Sequence, residues 1–334
     1  MDECAGKITT LPCCLSWIRH DYGIVGSVPL HELWNSEGAQ HIRWLIVAGR
    51  QYEICDRYCP YLLSGKYGES SLRVVNGPPL FVENQLLNNQ EIRERRTILR
   101  SQPMLLKALP TLRCNLRCSM CFQNKDNPVE LDDSAWDDIY NLLPYVYEIT
   151  FQGGEVTLDK RFRSFLDSQV LKLHQQVRIS IITNGTIIDN NLFNTLSEIN
   201  LSSIVVSINA AKRKTYENIT KKDMFNKVLY NLRRLIQLSR DHKKYKFDVF
   251  ASFVIMQSNF TELPLFIRLV NKLGANLQLL HVIGNENDED IFSKPSQQTL
   301  LKETLDIALK ISKDQANEQV RRIKAISADT FSVN

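Results

Sequence analysis

Cys114, Cys118 and Cys121 stand in the run CNLRCSMC, with three residues between the first pair and two between the second. Three thiolates grouped this tightly hold an inorganic centre but leave its ligand set incomplete. A cubane iron–sulfur cluster takes four cysteines. With three, one iron keeps an open position, as a catalytic zinc site keeps one for water or substrate. The competing readings are a zinc knuckle, or buried thiols packed as small apolar groups. A zinc site wants a fourth Cys or His close by, and no His lies between His41 and Cys114 or between Cys121 and His174. Five more cysteines, Cys4, Cys13, Cys14, Cys55 and Cys59, precede the triplet, and none follows it.

The elements around the triplet alternate. LKALPTL (106–112) reads as a strand that delivers the cysteine loop, and Asp132 or Asp133 caps a helix running to Leu143. Strand 148–152 ends at Gly153, and a helical pattern covers 159–174. Strand 177–183 leads into an Asn184-Gly185 turn. Helix 189–199, strand 203–208, helix 223–242, strand 247–256, a helix ending at Gly274, strand 277–283 and helix 296–313 follow. Six βα units predict a parallel sheet with right-handed crossovers. Polar motifs fall where strands end: Gly153-Gly154-Glu155 after the second, Asn184 after the third, Ser207 and Asn209 after the fourth. The glycine pair permits close approach of the backbone to a ligand, and Glu155 offers an acceptor to an ammonium group. Turn and cap chemistry is the plainer reading of Asn184, Ser207 and Asn209. Asn259 reads as part of a helix N-cap.

The chain has 334 residues, 43% hydrophobic and 23% charged, which suits one large domain plus a smaller one. MDECAGKITT lacks the apolar core of a signal peptide, and no run approaches a membrane span. A cytoplasmic protein without a membrane partner is expected, and eight cysteines in a reducing compartment favour metal ligation over disulfides. Net charge is +4, yet residues 210–246 hold twelve Lys or Arg against three acids. That excess belongs to a solvated helix face, since Met224, Val228, Leu229, Leu232, Leu235, Ile236 and Leu238 form an apolar stripe behind it. No aromatic interleaving or RNA motif accompanies it, which argues against nucleic acid. NENDED (285–290) reads as a solvated acidic loop or lid.

CNLRCSMC, with Met120 before the last cysteine and Phe122 after it, resembles the signature of the radical S-adenosylmethionine (radical SAM) superfamily. The resemblance implies a partial (βα)6 TIM-like barrel over residues 105–285. It implies a [4Fe–4S] cluster on Cys114, Cys118 and Cys121 whose fourth iron is chelated by SAM. Reductive cleavage of SAM then gives a 5′-deoxyadenosyl radical that takes hydrogen from a substrate. SAM contacts carried over are Phe122, Gly153, Gly154, Glu155, Asn184, Ser207, Asn209 and Leu280, the last packing near adenine beside His281. Val156 stands where relatives have Pro, Asn209-Ala210 where they often have Asp-Gly, and Thr220 where many have an Arg. An electron donor of the flavodoxin or ferredoxin kind is implied.

The stretch from LPCC to ICDRYCP, with Leu33-Trp34-Asn35-Ser36 and Ile42-Arg43 between, resembles the SPASM/twitch auxiliary-cluster module. That resemblance implies a small cysteine-rich domain over 1–75. It implies a second cluster on Cys13, Cys55 and Cys59, with Cys4 as the fourth ligand and Cys14 its alternative. A structural zinc ribbon is the competing reading. Residues 76–104 are expected as a linker or docking helix, and 286–334 as a helical C-terminal segment. Relatives with such a module often mature peptides, so a peptide or protein substrate is expected. The alternatives are a sugar, nucleotide or other small molecule, and a non-catalytic iron–sulfur or zinc-binding interaction protein.

Overall fold

The structure is a computed structural model, and it describes residues 9–13, 18, 20–56, 59, 62, 74–121, 123, 128–242, 244–282, 288–312 and 314–332. Cys4, Cys14 and Phe122 lie outside the described residues. The chain separates into two compact units that interleave along the sequence: residues 1–107, 129–149 and 168–178 form one, and 108–128, 150–167 and 179–334 the other.

The first unit opens with two short antiparallel strands, β1 (Thr9–Thr10) and β2 (Gly23–Ile24). Helices α1 (Leu30–Leu33), α2 (Glu37–Val47) and α3 (Pro79–Arg93) follow. Ser36 caps α2, its hydroxyl accepting the Ala39 N–H while donating to the Tyr22 carbonyl. That cap fixes α2 over a small core of Tyr22, Ala39, Ile42, Leu45 and Ile54, against which Trp34 and Cys55 pack. Arg43 stands over the Trp34 ring at 4.4 Å and donates to the carbonyls of Trp34 and Thr97. The Leu33–Ser36 and Ile42-Arg43 segments singled out in the sequence thus build the frame beside Cys55. Helix α3 occupies the stretch expected as a linker or docking helix. Its Glu91 is 2% exposed and accepts the N–H groups of Arg100 and Ser101. Helix α4 (Asp133–Leu142) starts on the Asp132 cap, as its sequence predicts.

Six strands follow in one sheet, ordered β3 (Leu105–Ala108), β4 (Glu148–Phe151), β5 (Arg178–Thr183), β6 (Leu201–Ser207), β7 (Asp248–Ile255) and β8 (Asn276–His281). Spatial order equals chain order, the arrangement of a barrel wound in one direction. The registers of β5 to β8 are parallel, with Ile181 opposite Ile204, Val206 opposite Ala251 and Ala251 opposite Leu277. The strands are near-continuous apolar runs because helices cover the sheet. Between them lie α5 (Lys160–Asp167), α6 (Gln169–Leu173), α7 (Asn190–Leu196), α8 (Arg213–Thr220), α9 (Phe225–Asp241) and α10 (Leu263–Leu273). Helices α11 (Gln298–Ile311) and α12 (Asp314–Ser332) make the C-terminal segment.

Four expectations change. The first strand stops at Ala108 instead of 112, because Pro110 has no N–H for a ladder. The helix expected over 159–174 breaks at Ser168, whose extended backbone and hydroxyl, accepting the Leu171 N–H, start a new helix. Helix α8 precedes the long basic helix and ends where Lys221 turns left-handed at φ 60°. Finally, Glu289 of the acidic loop is 7% exposed, not solvated. The basic helix itself turns Val228, Leu229, Leu232, Leu235 and Ile236 inward, as its stripe predicts.

The last strand of the sheet is sealed by side chains. Gln319 of α12 accepts the Leu279 N–H at 2.6 Å and donates to the Leu277 carbonyl at 2.8 Å, so its amide pairs with β8 as a neighbouring strand would.

Candidate active site

The second unit gathers the cysteine triplet with Gly153-Gly154-Glu155 and Asn184. The glycines serve the chain itself first. A Cβ on Gly154 would lie 2.2 Å from the Arg113 carbonyl and 2.4 Å from that of Leu112. One on Gly153, at φ 155°, would lie 2.4 Å from the Thr111 carbonyl. The Gly154 N–H donates to Thr111 at 2.8 Å and the Glu155 N–H to Arg113 at 2.7 Å. The sequence suggested glycines that let backbone approach a ligand. In the structure they let the post-β4 turn press against the segment that delivers Cys114.

Glu155 is fully buried. Its Oε1 accepts the Thr157 N–H at 3.1 Å and the hydroxyls of Thr157 and Thr183 at 2.6 Å each. Its Oε2 accepts the Asn184 N–H at 2.6 Å. All four donors are neutral. A buried carboxylate held this way has oriented lone pairs and retains capacity for a cation.

Asn184 was expected to face a ligand, yet its side chain is committed to the cysteine loop. Its Oδ1 accepts the Thr186 N–H and hydroxyl, and its Nδ2 donates to Asn115 Oδ1 at 2.9 Å. Asn115 in turn donates to Thr186 at 2.9 Å. Asn184 Nδ2 also stands 3.8 Å from Cys114 Sγ, which receives the Leu116 N–H at 3.4 Å. Burial pushes the Cys114 thiol up, against these donors. Ligation by a metal reverses that balance by holding the thiolate.

The rest of the loop rests on the end of α8. The Ile219 and Thr220 carbonyls, left over at a helix C-terminus, accept the N–H groups of Ser119 and Arg117 at 2.9 and 3.0 Å. Thr220 is buried and donates to the Tyr216 and Lys222 carbonyls. From the other side, Glu289 accepts the Ser119 hydroxyl at 2.8 Å and the Ser258 N–H at 3.0 Å. Asn115, Thr183, Thr186, Ser119 and Glu289 are positioning groups that motif reading missed. Asn115 and Ser119 could have been found as polar residues inside the cysteine run itself.

The remaining expected contacts lie farther round the strand ends. Ser207 closes β6 opposite Ser252. Asn209 sits left-handed at φ 61° and uses Oδ1 to accept the Val254 N–H, extending the β6–β7 pairing. Asn259 is a latch: it accepts the Met256 N–H and donates to the Asn209 and Val254 carbonyls. Leu280 is 41% exposed on β8, and the His281 ring meets Phe292 edge-on at 5.8 Å.

In the first unit, Cys13 is exposed, Cys55 half-buried and Cys59 buried, all as free thiols. Burial raises the Cys55 thiol, and the neighbouring Cys59 and Cys13 raise it further. Among the described residues no three His, Cys, Asp or Glu side chains converge on a single metal ion. Thiols that each hold a different iron of a cluster do not require such convergence. No described helix is long and apolar enough to cross a membrane.

Residues 109–249 match the family model of the Radical SAM superfamily. An uncharacterized protein of Methanocaldococcus jannaschii is 25% identical over 54% of this chain and 58% of its own length. A GTP 3′,8-cyclase of Synechocystis sp. is 31% identical over 38% of this chain and 40% of its own. The chain thus spans about half the length of the curated relatives it matches. Among solved structures, Streptococcus suis SuiB bound to precursor peptide SuiA shares the fold. The TM-score is 0.52 at 13% identity, covering 86% of this chain and 64% of that one. A [4Fe–4S] cluster and SAM are the cofactors of the matched family. The cysteine loop, the glycine turn and strands β4 to β6 all fall inside residues 109–249, the part of the chain that matches the radical SAM superfamily.

Proposed function

We propose that this protein is a radical SAM enzyme that abstracts hydrogen from a peptide or protein substrate. The observation that carries the cofactor assignment is the fully buried Glu155 carboxylate, oriented by four neutral donors beside the triplet. Cys114, Cys118 and Cys121 would hold three irons, leaving the fourth to the amino-acid end of SAM. The ammonium of SAM is the cation that Glu155 lacks. When bound, the cluster and SAM supply a one-electron cleavage that yields a hydrogen-abstracting 5′-deoxyadenosyl radical, the electron coming from a flavodoxin- or ferredoxin-type donor. The protein's share is positional. Thr157, Thr183 and Asn184 aim Glu155, Asn115 and Thr186 brace the cysteine loop, and burial of the carboxylate excludes water from it.

The peptide reading rests on Cys13, Cys55 and Cys59, which suit an auxiliary cluster with Cys4 or Cys14 as fourth ligand. The fold shared with a peptide-bound SuiB is consistent with it. A second reading, a nucleotide or other small-molecule substrate, draws on the likeness to a GTP 3′,8-cyclase. Anaerobically reconstituted protein given dithionite should release 5′-deoxyadenosine from SAM, and failure to do so refutes the enzyme assignment. Iron and sulfide counts on a Cys114→Ala, Cys118→Ala, Cys121→Ala triple variant test the auxiliary cluster. About four irons should remain if it is a full cubane, and none if it does not exist. Candidate peptides and nucleotides, scored by product formation, then separate the two substrate readings.

A further inference from the structure

The excess of Lys and Arg over residues 210–246 divides in the folded chain into cations with acids beside them and cations without. At the start of α8, Lys212 meets the Glu262 carboxylate at 3.6 Å, Arg213 forms an ion pair with Asp223, and Lys214 meets Glu217 at 3.6 Å. The other end of α8 differs. Lys221 and Lys222 are exposed there, and Lys221 Nζ donates to the Asn218 carbonyl, a neutral group, at 2.6 Å. Arg117 is exposed within the cysteine loop and joins the same turn through its main chain, its N–H donating to the Thr220 carbonyl at 3.0 Å. Among the described residues, no carboxylate lies within ion-pair distance of Arg117, Lys221 or Lys222. Other exposed cations stand apart from this turn. Arg233 is roughly 12 Å along the α9 axis from Phe225, and Lys246 lies beyond the far end of that helix.

Unpaired surface cations set up a positive potential that draws anionic partners and speeds their association. Here they flank the loop that presents Cys114, Cys118 and Cys121, and the Ser119 and Arg117 N–H groups tie that loop to the turn that carries the lysines. A substrate must reach the pocket at Glu155. An electron has only to reach the thiolates, and its transfer slows steeply with distance. The place therefore suits a partner that delivers an electron. We infer that Arg117, Lys221 and Lys222 are the docking face for an acidic one-electron donor protein. The inference rests on the radical SAM reading and names the surface through which that site is reduced. The donor is oxidised by one electron and the iron–sulfur centre reduced by one, and no bond forms or breaks at the interface. Redox contacts of this kind are small, and charge complementarity sets their encounter rate.

The test follows reduction of anaerobically reconstituted protein by stopped-flow loss of cluster absorbance. The reductants are flavodoxin hydroquinone, an acidic protein, and reduced methyl viologen, a small cation that the face does not attract. The first variant is Lys221→Asn with Lys222→Gln, Asn being tolerated at the left-handed position. The second is the reversal Lys222→Glu, which leaves Lys221 at the end of α8. The third, Arg233→Gln with Lys246→Gln, removes as much charge away from the turn as the first does at it. At low salt the first two should be reduced by flavodoxin about tenfold more slowly than wild type. That difference should shrink at high salt, as the charges are screened. Their viologen rates, and both rates of the third variant, should match wild type. An unchanged flavodoxin rate in the first two overturns the docking face and leaves the radical SAM reading intact. An equal loss with viologen shows damage to the loop, and an equal loss in the third variant shows an effect of net charge; either overturns the inference. So does a wild type that viologen reduces and flavodoxin does not. Labelled single-stranded RNA is titrated in parallel. RNA binding that the first two variants lose while their flavodoxin rates hold assigns the face to nucleic acid and overturns the inference too. A wild type that takes up neither iron nor sulfide overturns both readings.

Discussion

Replacing Glu155 by Gln separates what the carboxylate does for the fold from what it does for a ligand. The two side chains have the same shape, but an amide has one acceptor oxygen and one donor nitrogen. With the NH2 at the Oε2 position it meets the Asn184 N–H, donor against donor. Flipped, it meets the Thr157 N–H, while the Thr157 and Thr183 hydroxyls turn to accept. Either orientation forfeits one bond to a charged acceptor, about 1.5–3 kcal/mol. The substitution also removes a buried charge whose donors are all neutral, which returns part of that loss. The apoprotein should therefore lose no more than about 2 kcal/mol in a urea titration. SAM should suffer more, because its ammonium loses a charged, preoriented acceptor. The same 1.5–3 kcal/mol corresponds to roughly a 10- to 150-fold weaker Kd. Equilibrium dialysis of SAM against cluster-loaded protein measures it, with methylthioadenosine, which lacks the amino-acid end, as the control. A Gln variant that binds SAM within about twofold of wild type would refute the pairing of Glu155 with the ammonium, given that tenfold is 1.4 kcal/mol. Equal losses for SAM and methylthioadenosine would refute it as well.

Gly154→Ala should cost about 3 kcal/mol or more and strip iron from the reconstituted protein, since its Cβ meets three backbone atoms within 2.5 Å. Gly49→Ala, where nothing lies within 4 Å at φ 73°, should cost only about 1 kcal/mol of left-handed strain. Chemical denaturation and iron counts check both. Ser119→Ala and Glu289→Gln should be coupled by about 1–2 kcal/mol in a double-mutant cycle on loaded protein, because they share one charge-assisted bond. Additive effects would contradict the clasp. Asp189 is held below the usual aspartate value by the Leu192 N–H it caps and by Arg163. Its contribution is present above the unfolded value of about 3.9 and is lost as pH falls through the lower folded one. Asp189→Asn keeps the cap and loses the charge, so its stability should fall less steeply below about pH 4 in an acid titration followed by circular dichroism.

Much of the barrel was legible because its strands are apolar runs separated by amphipathic helices, and the Asp132 cap and Gly274 end fall as read. Less legible were features decided by partners remote in sequence. The resemblance implies a ligand contact at Asn184, but Asn115 and Thr186 claim its amide. NENDED reads as solvated from its charges, yet Glu289 finds Ser119, 170 positions away. The α8 helix was lost inside a run of lysines and arginines, although Tyr216, Ile219 and Thr220 keep helical spacing on its buried side. Composition weighs charge before periodicity, and here periodicity was the better guide.

The amide of Gln319 has a consequence beyond packing. It occupies the hydrogen-bonding groups of Leu277 and Leu279 on the last strand, with Arg322 adding a bond to the Leu279 carbonyl at 3.3 Å. An exposed row of such groups is a template on which a foreign strand polymerises. Helix α12 thus acts as a guard against self-association. Val320 and Ile323, both fully buried, anchor the guard, while Gln319 neutralises the template. A chain deprived of this helix would keep its cysteine loop but expose a growing edge, and its failure would be aggregation before it was loss of chemistry.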